Sequence, residues 1–220
     1  MTKQYLKFIL QNCIFHVSTF HYQTIFKKDM QEIKELNNLL SQYVDKGFFP
    51  GFQWQVNIKN ETFNGKYGYN NIDTRESVLD NTIYRIWSMT KPIVAVAALQ
   101  LIENNLMNLE DPITKYLPEF NNLKVLVKQN GNIDEVEDVE IYPTIKDLFL
   151  HTAGFSYNFL ADPVGKEYDR LKLFNSDTTT LKEEIEILAS APLLFQPKIN
   201  WRYSVSMDVL ARIIEVIKND

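Results

Sequence analysis

Ser88 and Lys91 form the pattern in this sequence that is best suited to covalent catalysis. Ser88 lies just before a run from Pro92 to Leu101 that is apolar except for Gln100, and this run predicts a buried helix beginning close to the serine. Side chains three positions apart share one face of a helix, so the Ser88 hydroxyl and the Lys91 amine should lie together. Pro92 fits the first helical turn, where its missing N–H costs nothing. A serine at a helix N-terminus, with a lysine beside it, could act as an activated nucleophile.

The spacing of these two residues does not by itself establish catalysis. A serine followed by a lysine three positions later should occur by chance about once in a chain of ordinary composition and this length. A lysine next to a buried helix nevertheless needs a reason, because lysine is almost never buried without a partner. Support for a catalytic role of Ser88 and Lys91 must therefore come from other parts of the sequence.

Composition excludes several classes of function. The chain has 220 residues and 45% hydrophobic residues, enough for one large domain or two small ones. The net charge is −5 and there is no basic stripe, so nucleic acid is not an expected partner. Cys13 is the only cysteine, which rules out an intrachain disulfide, and the three histidines do not have the spacing of metal ligands.

The first 25 residues form an N-terminal extension whose role the sequence leaves open. Lys3 and Lys7 precede a short apolar run that Gln11, Asn12 and His16 interrupt. A signal peptide needs a cleaner apolar stretch and small residues before its cleavage site. No stretch is long and apolar enough to span a membrane. A cytoplasmic location is therefore favoured over export, and stable membrane insertion is not expected.

Hydrophobic periodicity predicts a helix followed by a β-hairpin. Apolar residues recur at helical spacing over residues 33–44, and Gly47 would end that helix. Residues 52–58 alternate between apolar and polar, as in a half-buried strand, and a turn at residues 60–61 could lead to a second strand over residues 62–69. This order predicts a helix packed on an antiparallel sheet.

The rest of the chain predicts helices separated by polar segments. Residues 144–147 have the Thr and Asp of a helix N-cap and its third position, and Gly154 would close that helix. Residues 121–142 are polar and acidic, and residues 155–180 have the composition of a long surface segment. From Met207 onward, apolar residues at helical spacing predict a final amphipathic helix.

Three segments, at residues 84–92, 147–155 and 201–210, resemble in sequence and order the serine hydrolases related to class C β-lactamases. That family includes β-lactamases, D-alanyl-D-alanine carboxypeptidases and esterases. The similarity runs from about Gly47 to the last residue. It implies an α+β fold of the β-lactamase/transpeptidase type, in which an antiparallel sheet with flanking helices adjoins a helical domain.

The resemblance also implies a domain organisation. The β-lactamase-related domain would occupy residues 26–220, after the N-terminal extension at residues 1–25. Its N-terminal helix and hairpin would fall within residues 26–86, and its helical region within residues 87–220.

The resemblance assigns roles to three residues. Ser88 would be the acylated nucleophile, Lys91 its activating partner, and Tyr203 the residue that takes and returns protons. A free tyrosine, with a pKa of about 10, is a poor base at neutral pH, but a nearby ammonium favours its phenolate. Lys91 could share the proton, in which case the base would be the pair. The alternative for Tyr203 is a packed core tyrosine beside Trp201.

Two further residues bear on the reaction. His151 invites comparison with a Ser-His-Asp triad, but in the family the matching histidine lies in a turn and is not the base. The β-lactamases have an asparagine that touches the substrate amide where this chain has Val205, which cannot hydrogen-bond. The resemblance therefore favours the esterase branch, with a small-molecule ester or amide as substrate. It implies no metal and no organic cofactor, and it leaves the oligomeric state open.

The family continues well past the tyrosine helix, whereas this sequence stops at Asp220. The region beyond would supply a strand with the third active-site motif and a second N–H for the oxyanion hole. We therefore interpret the chain as C-terminally truncated, with an incomplete sheet. Because loss of one oxyanion donor costs roughly a hundredfold or more in rate, we expect the separate chain to be nearly inactive and poorly stable.

Three functional hypotheses follow from the sequence. The first is a serine hydrolase that transfers an acyl group through a Ser88 ester, acting on carboxylic esters. The second is a non-catalytic remnant that at most binds a ligand or a partner. The third is a β-lactamase or D-alanyl-D-alanine carboxypeptidase, which Val205 makes less favourable.

Overall fold

The computed structural model describes residues 35–58, 61–175 and 178–218. The chain forms two compact units, one ending at Arg85 and the other beginning at Ile86. The N-terminal extension, the start of the helix predicted at residues 33–44 and part of the turn predicted at residues 60–61 lie outside the described residues.

The described part of the first unit consists of a helix and a three-stranded antiparallel sheet. The sequence predicted the helix and the first two strands, whereas the short third strand was not predicted. Its elements are α1 (35–45), β1 (Gly51–Ile58), β2 (Glu61–Asn71) and β3 (Glu76–Ser77). Strands β1 and β2 pair so that Gly51 lies opposite Gly68, and side chains along β1 alternate between half-buried and exposed. The Trp54 indole donates a 3.3 Å hydrogen bond to the side chain of Asn37, which ties β1 to α1.

The second unit is mainly helical and is built around its last helix. Its helices and strands are α2 (Thr90–Glu103), β4 (Lys124–Leu126), β5 (Val136–Asp138), α3 (Ile145–Leu150), α4 (Pro163–Arg170), α5 (Leu181–Leu188) and α6 (Ser206–Lys218). Short 3-10 turns occupy Trp87–Met89, Ile113–Lys115 and Pro118–Asn122. Helix α6 packs against α2, α3 and α5, and its apolar residues Val209, Leu210 and Ile213 are fully buried. The final amphipathic helix is thus confirmed.

Helix α2 is less buried than its apolar sequence predicted. Only Ala98 and Leu101 of this helix are buried, while Ile93 and Val96 are 61% and 54% exposed. The prediction of a buried helix is therefore wrong for much of its surface. A run that is apolar on every side carries no periodic signal, so it could not show which face is covered.

Two segments of polar composition also contribute apolar residues to the core of the second unit. Within residues 121–142, β4 and β5 pair as an antiparallel hairpin and Val125 is fully buried. Within residues 155–180, α4 buries Val164 and Tyr168, so the prediction of a surface segment is wrong. Aspartate and proline favour loops, but they also begin helices.

The end of helix α3 differs from the sequence prediction in one respect. The Thr144–Asp147 capping box is present, but the helix is closed by His151, which adopts the left-handed conformation with φ 56°. The prediction that Gly154 closes it is wrong. Gly154 is required for a different reason, because a Cβ atom there would lie 2.4 Å from the carbonyl oxygen of Phe195.

Candidate active site

Ser88 lies in a tight turn immediately before α2. The turn spans Trp87–Met89, and α2 begins at Thr90. Trp87 has a φ of 47°, in a region that bulky residues rarely adopt and that costs about 1–3 kcal/mol. Ser88 is exposed at the N-terminus of α2, where the helix dipole favours negative charge.

The three side chains that the sequence singled out lie together in the second unit. The Ser88 Oγ is 2.6 Å from the Tyr203 hydroxyl oxygen, at hydrogen-bonding distance. The Lys91 ammonium donates a longer hydrogen bond of 3.4 Å to the Ser88 Oγ. The predicted convergence of Ser88, Lys91 and Tyr203 is therefore present in the structure.

Electrostatics separates the roles available to Lys91 and Tyr203. Partial burial lowers the pKa of Lys91, but the neighbouring hydroxyls of Tyr157 and Tyr203 outweigh burial and hold its pKa above the ordinary value. Partial burial raises the pKa of Tyr203, but interactions with Ser88 and Lys91 outweigh it and place its pKa below the ordinary value. The pair is therefore an ammonium beside a tyrosine that gives up its proton at a lower pH than an ordinary tyrosine does.

Backbone and side-chain bonds on both sides fix the position of Tyr203. The Arg202 N–H donates to the His151 carbonyl at 2.9 Å, and the Ser204 N–H donates to the His151 Nδ1 at 3.3 Å. The Arg202 guanidinium also forms an ion pair with Asp162, whose carboxylate accepts a 2.7 Å hydrogen bond from Ser156. These contacts anchor the segment that presents Tyr203 to Ser88.

His151 has the geometry of a positioning residue. It occupies the left-handed end of α3, and its ring lies 5.1 Å from the Tyr203 ring between centroids. Its Nδ1 faces Ser204 and accepts that residue's backbone N–H. Burial, with a further contribution from Lys91, lowers the pKa of His151, so the ring is neutral at pH 7.

Two side chains near the site, those of Tyr157 and Asp208, were not predicted from the sequence. The Tyr157 ring lies 5.5 Å from the Tyr203 ring and 5.3 Å from the Lys91 Nζ. Asp208 lies in the first turn of α6 and interacts with both Lys91 and Tyr157. A lone tyrosine in a loop carries no sequence signal, and an aspartate in the first turn is expected at any helix start.

Among residues 35–58, 61–175 and 178–218, no group of three or more His, Cys, Asp and Glu side chains could hold a metal ion. No helix within these ranges is both long and apolar enough to cross a membrane.

The fold and the Ser-Lys-Tyr cluster define a protein of the β-lactamase/transpeptidase-like class, with an α+β architecture. A solved structure described as "EstCE1, a hydrolase with promiscuous acyltransferase activity" superimposes with a TM-score of 0.68 at 25% sequence identity. The matched region covers 87% of this chain and 47% of that one. The family model described as Beta-lactamase matches residues 36–220, so the chain belongs to the beta-lactamase family.

Curated relatives in this family are much longer than the present chain. Protein Rv1367c of Mycobacterium tuberculosis (strain ATCC 25618 / H37Rv) is 34% identical over 153 residues, which cover 69% of this chain and 37% of the relative. Esterase EstB of Burkholderia gladioli is 37% identical over 141 residues, which cover 62% of this chain and 32% of the esterase. The chain thus spans about a third of the length of these relatives.

Proposed function

We propose that this protein transfers acyl groups from carboxylic esters to water through a covalent ester on Ser88. The observation that carries the proposal is the contact of the Ser88 Oγ with the Tyr203 hydroxyl at 2.6 Å, with the Lys91 ammonium 3.4 Å from the same oxygen. Similarity to an esterase of the same family supports the choice of reaction.

The proposed reaction has two halves. In the first, the Tyr203 phenolate takes the proton of the Ser88 hydroxyl while the Oγ attacks the ester carbonyl carbon. The bond from that carbon to the alcohol oxygen then breaks, and Tyr203 returns the proton to the departing alcohol. In the second, Tyr203 takes a proton from water, the hydroxide attacks the acyl carbon, and the carboxylic acid leaves as Ser88 regains its proton.

Lys91 would keep its positive charge throughout this cycle. The ammonium stabilises the phenolate before each proton transfer and the negative charge that develops during attack. The N-terminus of α2 adds a partial positive charge at Ser88. The resemblance to class C β-lactamases implies that the Ser88 N–H is one of the oxyanion donors.

The environment of Val205 supports esters over β-lactams as substrates. Val205 is fully buried, two residues after Tyr203. Because its side chain is a hydrocarbon, Val205 offers no amide to the acylamino group of a lactam. A polar group of the substrate that finds no partner is costly to bury at a site. We expect faster hydrolysis of a short-chain nitrophenyl ester than of a chromogenic cephalosporin, and faster turnover of the cephalosporin would refute this preference.

Covalent labelling tests the proposed nucleophile. We expect a fluorophosphonate to add one adduct to the purified chain, detected by intact mass, and to leave Ser88→Ala unlabelled. Ser190→Ala is the matched control, because Ser190 is an exposed serine whose hydroxyl donates to the Ile187 carbonyl. It should label like the native chain. A native chain that takes no adduct would instead support the non-catalytic remnant.

A further inference from the structure

The Asp162 carboxylate joins chain segments that are far apart in sequence. Its side chain is only 8% exposed. Its Oδ2 accepts a 2.7 Å hydrogen bond from the Ser156 hydroxyl and forms the ion pair with the Arg202 guanidinium. Its Oδ1 accepts a 2.8 Å hydrogen bond from the Gly165 N–H and so caps α4. These three partners compensate a carboxylate that has lost most of its hydration.

The residues that this carboxylate joins are the immediate neighbours of two tyrosines at the candidate site. Ser156 directly precedes Tyr157, and Arg202 directly precedes Tyr203. A backbone hydrogen bond of 3.2 Å, from the Val205 N–H to the Ser156 carbonyl, runs between the same two segments. The ion pair and this backbone bond therefore link the segment that carries Tyr157 to the segment that carries Tyr203.

Both tyrosine rings contact the Lys91 ammonium. The Lys91 Nζ is 5.3 Å from the centroid of the Tyr157 ring and 4.9 Å from that of the Tyr203 ring, and the two rings are 5.5 Å apart. An aromatic ring attracts a cation at such distances. The placement of the two rings relative to each other therefore influences where the ammonium lies, and its hydrogen bond to the Ser88 Oγ is already long, at 3.4 Å.

We propose that Asp162 and Arg202 form a positioning pair, which fixes the segments of Tyr157 and Tyr203 relative to each other so that the Tyr203 hydroxyl stays within reach of Ser88. The proposal rests on the proposed function of Ser88, and it assigns the ion pair to the support of the tyrosines rather than to contact with substrate. A displacement of about 1 Å in a reacting group can cost roughly a hundredfold in rate.

The pKa of Tyr203 reports on its position. The titratable groups that lie next to Tyr203 or act on its pKa are Lys91 from α2, Tyr157 from the loop after α3, His151 from the end of α3, and Asp208 from α6. Ser88 and Lys91 together hold this pKa below the ordinary value, against burial. If Tyr203 moves away from Ser88 and Lys91, its pKa should rise toward the ordinary value of about 10.

Replacing Asp162 by asparagine separates positioning from a direct effect of charge. Asparagine caps a helix as well as aspartate does, so Asp162→Asn keeps the start of α4 but loses the ion pair with Arg202. Removal of a negative charge would by itself lower the pKa of Tyr203, whereas displacement of the tyrosine raises it. We expect the pKa to rise in a ¹³Cζ-tyrosine NMR titration of the full chain, with Tyr203→Phe assigning the resonance.

Asp169→Asn is the matched control for this titration. Asp169 is an exposed aspartate of α4, and its loss changes the net charge equally. The Tyr203 pKa in this variant should match that of the native chain.

Replacing Arg202 tests the ion pair from its other side. Within the described residues the Arg202 Nε is buried without a hydrogen-bond partner, and one terminal nitrogen pairs with Asp162, so a lysine amine can take its place. Arg202→Met should slow fluorophosphonate labelling of Ser88 about tenfold or more, and Arg202→Lys should recover most of the rate. Arg212→Met is the matched control, because Arg212 is a half-buried arginine of α6 that pairs with Glu215 at 2.8 Å.

A double variant tests whether Asp162 and Arg202 act as a unit. Once the ion pair is broken, loss of the second partner should have little further effect. Asp162→Asn/Arg202→Met should therefore label within about twofold of the slower single variant, because contacting residues are not additive. The Arg202 variants keep the test decisive if Asp162→Asn does not fold, since the Arg202 side chain is 34% exposed.

Three results would overturn the inference. The first is a Tyr203 pKa that falls or stays unchanged in Asp162→Asn. The second is an Arg202→Lys chain that labels as slowly as Arg202→Met, and the third is a double variant in which the two single effects multiply. If the fluorophosphonate labels no variant, the proposed function fails, while the NMR titration still decides whether the ion pair positions Tyr203.

Discussion

Tyr203 and Lys91 are neighbours whose proton affinities shift in opposite directions. The pKa of Tyr203 lies below its ordinary value, because Ser88 and Lys91 together outweigh its partial burial. The pKa of Lys91 lies above its ordinary value, because two tyrosine hydroxyls outweigh its burial. The sequence left open whether the base was the pair. These directions favour Tyr203 as the base, with Lys91 as the permanent cation.

This division predicts the pH dependence of Ser88 labelling. The labelling rate should rise with pH as Tyr203 loses its proton. The midpoint of this rise, the acid limb of the pH profile, should lie below the ordinary tyrosine pKa of about 10. Lys91→Met removes the ammonium that stabilises the phenolate, so the limb should move to higher pH. Tyr203→Phe should lower the rate by about a hundredfold or more, because it removes the proposed base. The measurement is the fluorophosphonate labelling rate as a function of pH.

Lys182→Met is the control for the lysine substitution. Lys182 is exposed at the start of α5 and pairs with Glu186 at 3.8 Å. It follows Thr179 at the same three-residue spacing that separates Ser88 from Lys91. Its variant should keep the native profile. A limb that moves equally in both variants would show that net charge, rather than the contact with Tyr203, controls the labelling.

His151 predicts a second pH effect, on stability. Burial and Lys91 lower its pKa in the folded protein, whereas in the unfolded chain it has the ordinary value of about 6.5. The unfolded chain therefore binds more protons below that pH. The contribution of His151 to the free energy of unfolding should be fully present above pH about 6.5. It should be lost as the pH falls from that value through the lower pKa that His151 has in the folded protein. Urea unfolding at a series of pH values measures this loss.

His151→Asn should lack the step in stability near pH 6.5. Asparagine tolerates the left-handed conformation that residue 151 adopts, so the substitution can keep the end of α3. It should also slow labelling less than Tyr203→Phe does, because His151 supports Tyr203 rather than moving the proton of Ser88. A His151→Asn chain that labels as slowly as Tyr203→Phe would restore the histidine as a candidate base.

At the scale of elements, the capping box of helix α3 stabilises both the helix and the turn next to the candidate site. The buried Asp147 carboxylate accepts hydrogen bonds from the Thr144 N–H at 2.9 Å, from the Thr144 hydroxyl at 2.7 Å and from the Thr152 hydroxyl at 3.0 Å. It thereby holds the start of α3 and the turn after His151 together. The same carboxylate lies 3.9 Å from the Lys198 ammonium.

A second capping box in the same unit provides the comparison. Thr180 and Glu183 form the corresponding contacts at the start of α5, but both side chains are exposed. Thr180→Ala should cost about 1 kcal/mol, the usual value of an N-cap. Asp147→Ala should lower the free energy of unfolding by about 2–3 kcal/mol, since it also leaves buried donors without a partner. Equal losses in urea unfolding would contradict the structural role assigned to Asp147.

Elements with periodic patterns were predictable from the sequence, and those fixed by tertiary contacts were not. The alternation in β1 and the spacing of Leu210 and Ile213 in α6 carry direct signals of strand and helix. The β4 strand is three residues long, and its Val125 is buried by the parallel bridge to Leu193. Such a contact depends on a residue distant in sequence, which no local pattern reports.

The same distinction holds within the site. Ser88, Lys91 and Tyr203 could be found because their surroundings resemble a known family over three ordered segments. Tyr157 and Asp208 could not, because their importance depends on the packing of a loop and of α6 against α2. The contact of the Tyr157 ring with the Lys91 ammonium and the electrostatic interaction of Asp208 with Lys91 appear only in the three-dimensional structure.

For the molecule as a whole, apolar surface on α2 limits the behaviour of the chain in solution. Ile93 and Val96 lie three residues apart on one face of the helix and are 61% and 54% exposed, whereas Leu101 on the other side is 5% exposed. Contiguous exposed apolar side chains favour association. We therefore expect the 220-residue chain to aggregate readily at the concentrations used for structural work.

Substitution of this face should separate solubility from stability. The double variant Ile93→Gln/Val96→Gln should raise the monomer fraction in light scattering, while its free energy of unfolding changes by less than about 0.5 kcal/mol, as for other surface sites. Leu101→Gln, on the same helix, should instead lose about 2–4 kcal/mol because it places an amide in the core. If the double variant is destabilised as strongly as Leu101→Gln, then Ile93 and Val96 contribute to folding within these 220 residues, and aggregation must have another source.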